Sequence, residues 1–274
     1  MPELPEVQTV IDVLEPQIRG MIISNIIVNK PQVIAYPTAE EFCDRLTGQK
    51  IFNMSRRGKF ITIHLASGDQ IILHLRMTGC LLAMPAECSI AKHTHIIFEL
   101  ENNLQLRFID TRRFGRFWMI KKGEDDNISG INKLGIEPFD KKLTDAYLQR
   151  ILSNKKKTIK ECLLDQSLIA GIGNIYSDEI LFRAKINPAR KANSLSHDEL
   201  KRLAVEIPRT LKYYIEKNNI TPEDYLAKEG RGYNNSSFLN VYGRDGKSCT
   251  VCGETLCRRV IGGRGSVYCQ NCQK

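Results

Sequence analysis

The spacing of apolar residues changes partway along this chain, and that change limits what the chain can fold into. From about residue 21 to 122 they recur at every second position: Ile61, Ile63 and Leu65 alternate with Thr62 and His64, and Leu104, Leu106 and Phe108 alternate with Gln105 and Arg107. Ser67-Gly68-Asp69 and Glu101-Asn102-Asn103 lie between such runs as turns. Strand side chains alternate between two faces, so the pattern predicts an antiparallel sandwich or barrel. Ahead of it, Val7, Val10, Ile11, Leu14 and Ile18 lie at helical spacing, with Pro5 suited to a first turn, Gly20 to a stop and a bend expected at Pro16. Residues 123–142 lose both periods and gather Gly, Pro and charge, which predicts an exposed connection and a domain boundary near 131.

Beyond the connection, helices are expected. Leu143, Leu148, Ile151 and Leu152 form one apolar stripe, Ile159, Leu163 and Leu164 another, and Ser196-x-x-Glu199 reads as a capping box ahead of Leu200, Leu203, Ile207 and Leu211. Polar residues from 217 to 237 predict a mobile loop. The chain is thus expected to be α+β and multidomain, with parts at 1–131, 132–222 and 240–274 and no internal repeat.

Lys and Arg number 40 against 31 Asp and Glu, a net charge of +9 over 274 residues, which suits a polyanionic partner without identifying one. No apolar run is long enough to cross a bilayer, and the acidic start MPELPEVQ is unlike a secretory leader, so a cytoplasmic protein with no membrane partner is expected. The nine cysteines are an odd number, and in the last 26 residues four of the five there are paired in spacing, as Cys249-x2-Cys252, sixteen residues, Cys269-x2-Cys272. Paired two-residue gaps let four thiolates close round one tetrahedral ion, which predicts a single structural Zn2+ with no position left for water. The alternative is a pair of disulfides. Cys257 falls outside the spacing, and Cys43, Cys80, Cys88 and Cys162 are expected to be small core residues.

Residues 240–274 carry six basic side chains against two acidic ones, and Arg264 lies between glycines in Gly262-Gly263-Arg264-Gly265, where a guanidinium can approach a phosphate closely. Arg56-Arg57-Gly58-Lys59 and Arg112-Arg113-Phe114-Gly115-Arg116-Phe117 are basic strand junctions, the second interleaved with aromatics that can enter a base stack. In Gly171-Ile172-Gly173-Asn174-Ile175-Tyr176 the glycines precede a helix expected to begin near Ser177, and the turn offers backbone N–H groups to a phosphate. Each of these alone is as well read as an ordinary turn.

At the N-terminus, Met1-Pro2-Glu3-Leu4-Pro5-Glu6 offers a secondary amine beside carboxyl groups once Met1 is removed. A terminal amine has a lower pKa than lysine, so more of it is neutral and able to form a Schiff base. The alternative is a chain start whose Glu3 and Glu6 merely stabilise a helix N-terminus.

Together MPELPE, RRGK, DTRRFG, LLDQSLIAGIGNIYSDE and the four cysteines, in that order, resemble the bacterial formamidopyrimidine-DNA glycosylase family over essentially the whole chain. The resemblance implies an N-terminal β-sandwich with flanking helices, a helix-two-turns-helix domain and a C-terminal zinc finger, with DNA between the two domains. It implies a monomer that removes oxidised purines such as 8-oxoguanine and formamidopyrimidines from double-stranded DNA in base-excision repair. Pro2 would attack C1′ of the damaged nucleotide, and the Schiff base would undergo β- and δ-elimination, making the protein both glycosylase and abasic-site lyase.

By the same resemblance Glu3 would donate the proton for base loss, Lys59 would serve β-elimination, Arg264 would serve δ-elimination, and Glu6 would support the pocket. His93, Arg112 and Lys155 match DNA-binding positions, and His74, Asn174 and Tyr242 match phosphate contacts. Met77, Arg112 and Phe114 match residues that fill the void left by an everted nucleotide; Met77 and Phe114 also suit a strand core. Two positions depart from the family: Gln8 stands where Glu is common, and 217–237 diverges from the stretch that covers the flipped purine. Leu4 stands where endonuclease VIII enzymes, which prefer oxidised pyrimidines, usually carry Gly. A pyrimidine-lesion enzyme and a non-catalytic zinc-ribbon protein that binds damaged DNA are the competing readings.

Overall fold

The structure, a computed structural model, describes residues 2–230 and 235–274. Met1 and part of the expected mobile loop, residues 231–234, lie outside the described residues. In chain order the elements are α1 (Leu4–Ile18), β1 (Ile23–Val28), β2 (Ile34–Tyr36), α2 (Ala39–Leu46), β3 (Ile51–Arg57), β4 (Phe60–Leu65), β5 (Gln70–His74), β6 (Gly79–Pro85), β7 (Thr94–Leu100), β8 (Leu104–Asp110) and β9 (Arg116–Ile120). They continue with α3 (Asp145–Leu152), α4 (Ile159–Leu164), α5 (Asn174–Arg183), α6 (His197–Lys217), α7 (Pro222–Ala227), β10 (Cys257–Ile261) and β11 (Arg264–Tyr268).

The chain divides into two compact units. The first holds Pro2, residues 6–132 and the segment from Asn218 to Gly230. Its strands form a four-stranded sheet, β1-β7-β8-β6, and a five-stranded sheet, β2-β9-β5-β4-β3, in which only β2 and β9 pair in parallel. One core serves both sheets: Phe98 and Phe108 of the first meet Phe117 of the second, with ring centroids 6.1 and 4.9 Å apart. Val7, Val10, Ile11, Leu14 and Ile18 of α1 are buried in that core, as their spacing predicts.

Four expectations for this unit fail. Helix α2 interrupts the run of strands; its signal was Thr38, whose side chain accepts the Glu41 N–H, followed by Phe42 and Leu46 one turn apart and both buried. Arg107, expected on a polar face, is 1% exposed, because its guanidinium donates to Gln105 Oε1 and to the carbonyls of Ala86, Cys88 and Ser89. A charge so placed is tolerated because its donors are occupied. Cys88 is exposed rather than a core residue.

The expectation of a mobile loop over 217–237 fails for its described first half. Thr221 caps α7, whose Tyr225 is buried and donates its hydroxyl to Leu81 O at 3.1 Å. Close behind, Gly230 adopts a φ of +69° against Cys80 and Leu82, where a side chain would collide. Burial of one aromatic ring, worth roughly 2–3 kcal/mol, outweighs the polar composition around it.

The second unit holds residues 3–5, 133–217 and 235–274 among those described. Leu148, Leu152, Ile159, Leu163, Ile180, Leu203, Ile207 and Leu211 share its core. Ser196 and Glu199 form the reciprocal bonds of the expected capping box at the head of α6. A smaller cluster of Phe182, Val241, Leu256, Val267 and Cys269 joins α5 to the β10–β11 hairpin.

Candidate functional site

Of the candidate residues in the first unit, Pro2, Glu6, Lys59 and His74 are buried. Lys59 occupies the two-residue turn between β3 and β4, beside Gly58 at a φ of +56°, and is only 7% exposed. Arg56 steadies this turn: its Nη1 donates to Gly58 O at 3.2 Å and its Nε to Gln8 Oε1 at 3.1 Å. Gln8 in turn donates to Asp12 at 2.9 Å. The departure at position 8 thus leaves an acceptor for Arg56 in place and puts a carboxylate one helical turn further on.

His74 ends β5 with its ring edge against Phe60, centroids 4.6 Å apart. Burial, helped by the nearby Arg76 and Lys59 charges, pushes its pKa down to about 3. Nδ1 accepts the Arg76 N–H at 3.0 Å, which leaves the proton of the neutral ring on Nε2 as a donor.

Met77 and Phe114 are 41% and 47% exposed, so neither is a core residue. The Arg112 guanidinium lies 4.6 Å from the centre of the Phe114 ring, a cation–π stack. His93 is half-buried with a φ of +69°.

The second unit contains Glu3, and its carboxylate accepts three backbone N–H groups: Gly173 at 2.8 Å, Ile175 at 2.9 Å and Tyr176 at 3.3 Å. The backbone N–H groups of the Gly171–Tyr176 turn, expected to face a phosphate, are taken in this structure by the chain's own Glu3 carboxyl group. A Cβ on Gly173 would overlap the Glu3 carboxyl group, and one on Gly171 would collide with Leu4. Helix α5 begins at Asn174 rather than near Ser177, because a distant carboxylate caps it.

Asn174 donates its amide to Gly265 O at 3.2 Å. Beside it Lys160, fully buried, donates to Asp178 at 2.6 Å and to Gly265 O at 3.2 Å. Asp178 also accepts Ser266 Oγ and the Val267 N–H. Burial alone pushes the lysine down and the aspartate up, and each charge counters the other. This cluster fastens β11, whose first residue Arg264 is exposed after Gly262 and Gly263, both at positive φ. The sequence reading missed Lys160 and Asp178; an ionic pair eighteen residues apart leaves no local pattern.

Tyr242 is half-buried, and the buried Glu179 fixes its backbone by accepting the N–H groups of Asn240, Val241 and Tyr242. Lys155 is half-buried in the turn after α3, where its N–H donates to Leu152 O.

The sulfurs of Cys249, Cys252, Cys269 and Cys272 lie within 4.8 Å of one another. The sulfurs of Cys252 and Cys269 lie 3.5 Å apart and those of Cys249 and Cys272 3.9 Å apart, far too long for disulfides and close to the ~3.8 Å edge of a tetrahedral tetrathiolate site. The Asn271 side chain and the Glu254 N–H bring Cys252 down to about 6, whereas burial and the three other sulfurs push Cys272 up to about 12. Four thiolates can share this space only around a cation, so the donor set fits a metal ion.

The family model for the formamidopyrimidine-DNA glycosylase N-terminal domain matches residues 1–117, and that for the family's H2TH domain matches residues 134–224. Formamidopyrimidine-DNA glycosylase of Pelotomaculum thermopropionicum is 42% identical over 274 residues, covering 100% of this chain and 99% of the relative. The chain belongs to the formamidopyrimidine-DNA glycosylase family. The Moorella thermoacetica enzyme is 43% identical over 256 residues, 93% of each chain. A Lactococcus lactis Fpg structure in complex with DNA containing a formamidopyrimidine lesion superposes with a TM-score of 0.88 at 31% identity, covering 99% of this chain and 100% of that one. Another, with abasic-site DNA, gives 0.89 at 31% identity over 99% of both. The α+β fold class expected for a formamidopyrimidine-DNA glycosylase is the one observed, with a β domain, an H2TH helical domain and a four-cysteine cluster. Among the described residues no helix is long and apolar enough to cross a membrane.

Proposed function

We propose that this protein is a bifunctional DNA glycosylase and abasic-site lyase of base-excision repair, acting in the cytoplasm as a monomer on duplex DNA that carries oxidised purines. The Lactococcus protein holds DNA with an abasic site and DNA with a formamidopyrimidine lesion, and the same kind of damaged DNA is the substrate class of this chain. The observation that carries the reading is the anchorage of Glu3: three N–H donors hold the residue next to the candidate nucleophile on the first turn of a helix. Precise placement of a reacting group is worth several kcal/mol of barrier, and a free chain end would not supply it.

In this scheme the Pro2 nitrogen, freed by removal of Met1, attacks C1′ of the damaged nucleotide. The base leaves with the glycosidic electron pair and takes its proton from Glu3, acting in its carboxylic-acid form. The Pro2 N–H proton then passes by way of Glu3 to the ring oxygen O4′ as the sugar opens to the Schiff base. The resulting Schiff base withdraws electrons from C2′, so loss of a C2′ proton expels the 3′ phosphate and a second elimination expels the 5′ phosphate. Lys59 serves the first elimination and Arg264 the second, while Glu6 supports the pocket. His93, Arg112, Lys155, His74, Asn174 and Tyr242 hold the DNA backbone, and Met77, Arg112 and Phe114 occupy the space of the everted nucleotide.

Zn2+ at Cys249, Cys252, Cys269 and Cys272 would be structural, since four thiolates fill its coordination sphere and none is left for chemistry. Its part is to hold the ribbon that carries Arg264.

Borohydride reduction of the protein with abasic-site DNA tests the scheme. A covalent complex is expected, with the adduct mapped to residue 2. An adduct on a lysine, or fully active protein that retains Met1, overturns it. A lesion panel run alongside is expected to give faster cleavage at 8-oxoguanine and formamidopyrimidine than at thymine glycol, and the reverse order supports the pyrimidine-lesion reading.

A further inference from the structure

The groups expected to enter the DNA stack come from separate segments of the first unit, yet one buried side chain holds them. Asp110 ends β8 with no exposed surface. Its Oδ1 accepts the Thr78 hydroxyl at 2.5 Å and the Arg112 N–H at 3.1 Å, and its Oδ2 accepts the Gly115 N–H at 2.8 Å. Thr78 follows Met77, and Gly115 follows Phe114. The backbone of Asp110 takes part too: its N–H donates to His93 O at 3.1 Å, and its carbonyl accepts His95 Nε2 at 2.7 Å.

We propose that Asp110 is a positioning residue for DNA interrogation, locking the Met77 turn, the Arg112–Phe114 loop and the His93 backbone into one preformed wedge. The inference rests on the DNA-repair reading above. A carboxylate suits the task because it accepts several donors at fixed angles and presents none of its own. The segments it ties are not self-supporting: His93 and Arg113 hold positive φ values of 69° and 58°, which cost energy in residues with side chains. At Gly115 a Cβ would overlap the Phe108 ring, so the loop has little room to settle elsewhere. Preordering matters because filling the void offsets the unstacking of a nucleotide only if the wedge need not be ordered during insertion.

Asp110→Asn tests this. The amide keeps one oxygen for Thr78 and Arg112 but turns an N–H2 donor toward the Gly115 N–H, so the loop is released while the shape is kept. The probes are duplexes with a tetrahydrofuran abasic site, with and without 2-aminopurine opposite it, and an undamaged duplex. The preference for abasic over undamaged duplex is expected to fall at least tenfold, and the 2-aminopurine signal of wedge insertion to shrink. In a Met77→Ala/Arg112→Ala/Phe114→Ala background the same substitution is expected to change the preference less than twofold, because the side chains it positions are gone. An equal loss in both backgrounds would mark Asp110 as a general structural residue and overturn the proposal, as would an unchanged preference.

If the Asn variant does not fold, Thr78→Val removes one tie from the same carboxylate and the same cycle decides, with a smaller drop expected. Wild-type protein with no preference for abasic DNA would instead refute the repair reading, so the two failures are distinguishable.

Discussion

Glu3 Oε2 accepts the Gly173 N–H at 2.8 Å, joining residues 170 positions apart. The bond explains two sequence features at once, the acidic start of the chain and the glycine pair before α5. Gly173→Ala places a methyl group where the carboxyl group lies. Base excision under single-turnover conditions is expected to slow about 100-fold, the order of loss that a misplacement of about 1 Å brings, with circular dichroism unchanged. Excision at the wild-type rate would show that Glu3 needs no such seat.

The sequence made the apolar frame legible, because burial of a face leaves a period behind: α1, the strands around Ile61 and Leu106, and the α6 capping box all follow from spacing. The four cysteines were legible for the same reason, since metal geometry imposes short gaps. What escaped were partnerships between distant residues. The start of α5 lies three residues earlier than local signals indicate because Glu3 caps it, and Arg107 is buried because carbonyls of another segment surround it. Lys160 with Asp178, and Asp110 with Thr78, belong to the same class. Each is an ordinary polar residue until the fold brings its partner.

His74 makes stability depend on pH. Its folded pKa of about 3 lies below the ordinary 6.5, so the unfolded chain binds a proton that the folded chain refuses. Stability from this residue is full above pH 6.5 and is lost progressively as pH falls from there toward 3, amounting to about 2 kcal/mol by pH 5. Urea denaturation at pH 8 and pH 5 checks this. His74→Asn is expected to remove about that much of the pH difference, and an equal difference in both proteins would contradict it.

Salt titrations should separate His74 from Arg264. A neutral imidazole donating from Nε2 displaces no counterion, whereas an exposed guanidinium on a phosphate displaces about one. Arg264→Ala is therefore expected to flatten the plot of log K against log salt by about 0.9, and His74→Asn to weaken binding with the slope unchanged. Equal slopes for the wild type and the Arg264 variant would remove Arg264 from the backbone.

Lys160→Met leaves Asp178 as a buried charge with only the Ser266 and Val267 donors. Removing one partner of a buried pair costs on the order of 3–5 kcal/mol. The loss should fall on the β10–β11 hairpin, because Lys160 also holds Gly265 O. Amide hydrogen exchange is expected to accelerate across residues 257–268 while β4 and β5 keep their protection. Faster exchange in the sandwich strands as well would place the pair's role outside the hairpin.

Metal removal is expected to act on the same hairpin from its other side. The apolar cluster beneath the ribbon is small, with Val241, Leu256 and Val267 against Phe182, so the four sulfurs need a cation to stay together. A chelator at neutral pH should release one Zn2+ per chain, unfold residues 240–274 and abolish DNA binding, because Arg264 and Tyr242 both sit on that segment. The sandwich core should survive, and its single Trp118, buried in β9, should keep its emission maximum. Metal content by atomic absorption, Trp118 fluorescence and DNA binding on one chelated sample give the answer together. Zinc-free protein that still binds DNA at the original affinity would mean that the ribbon holds its shape through its apolar contacts alone.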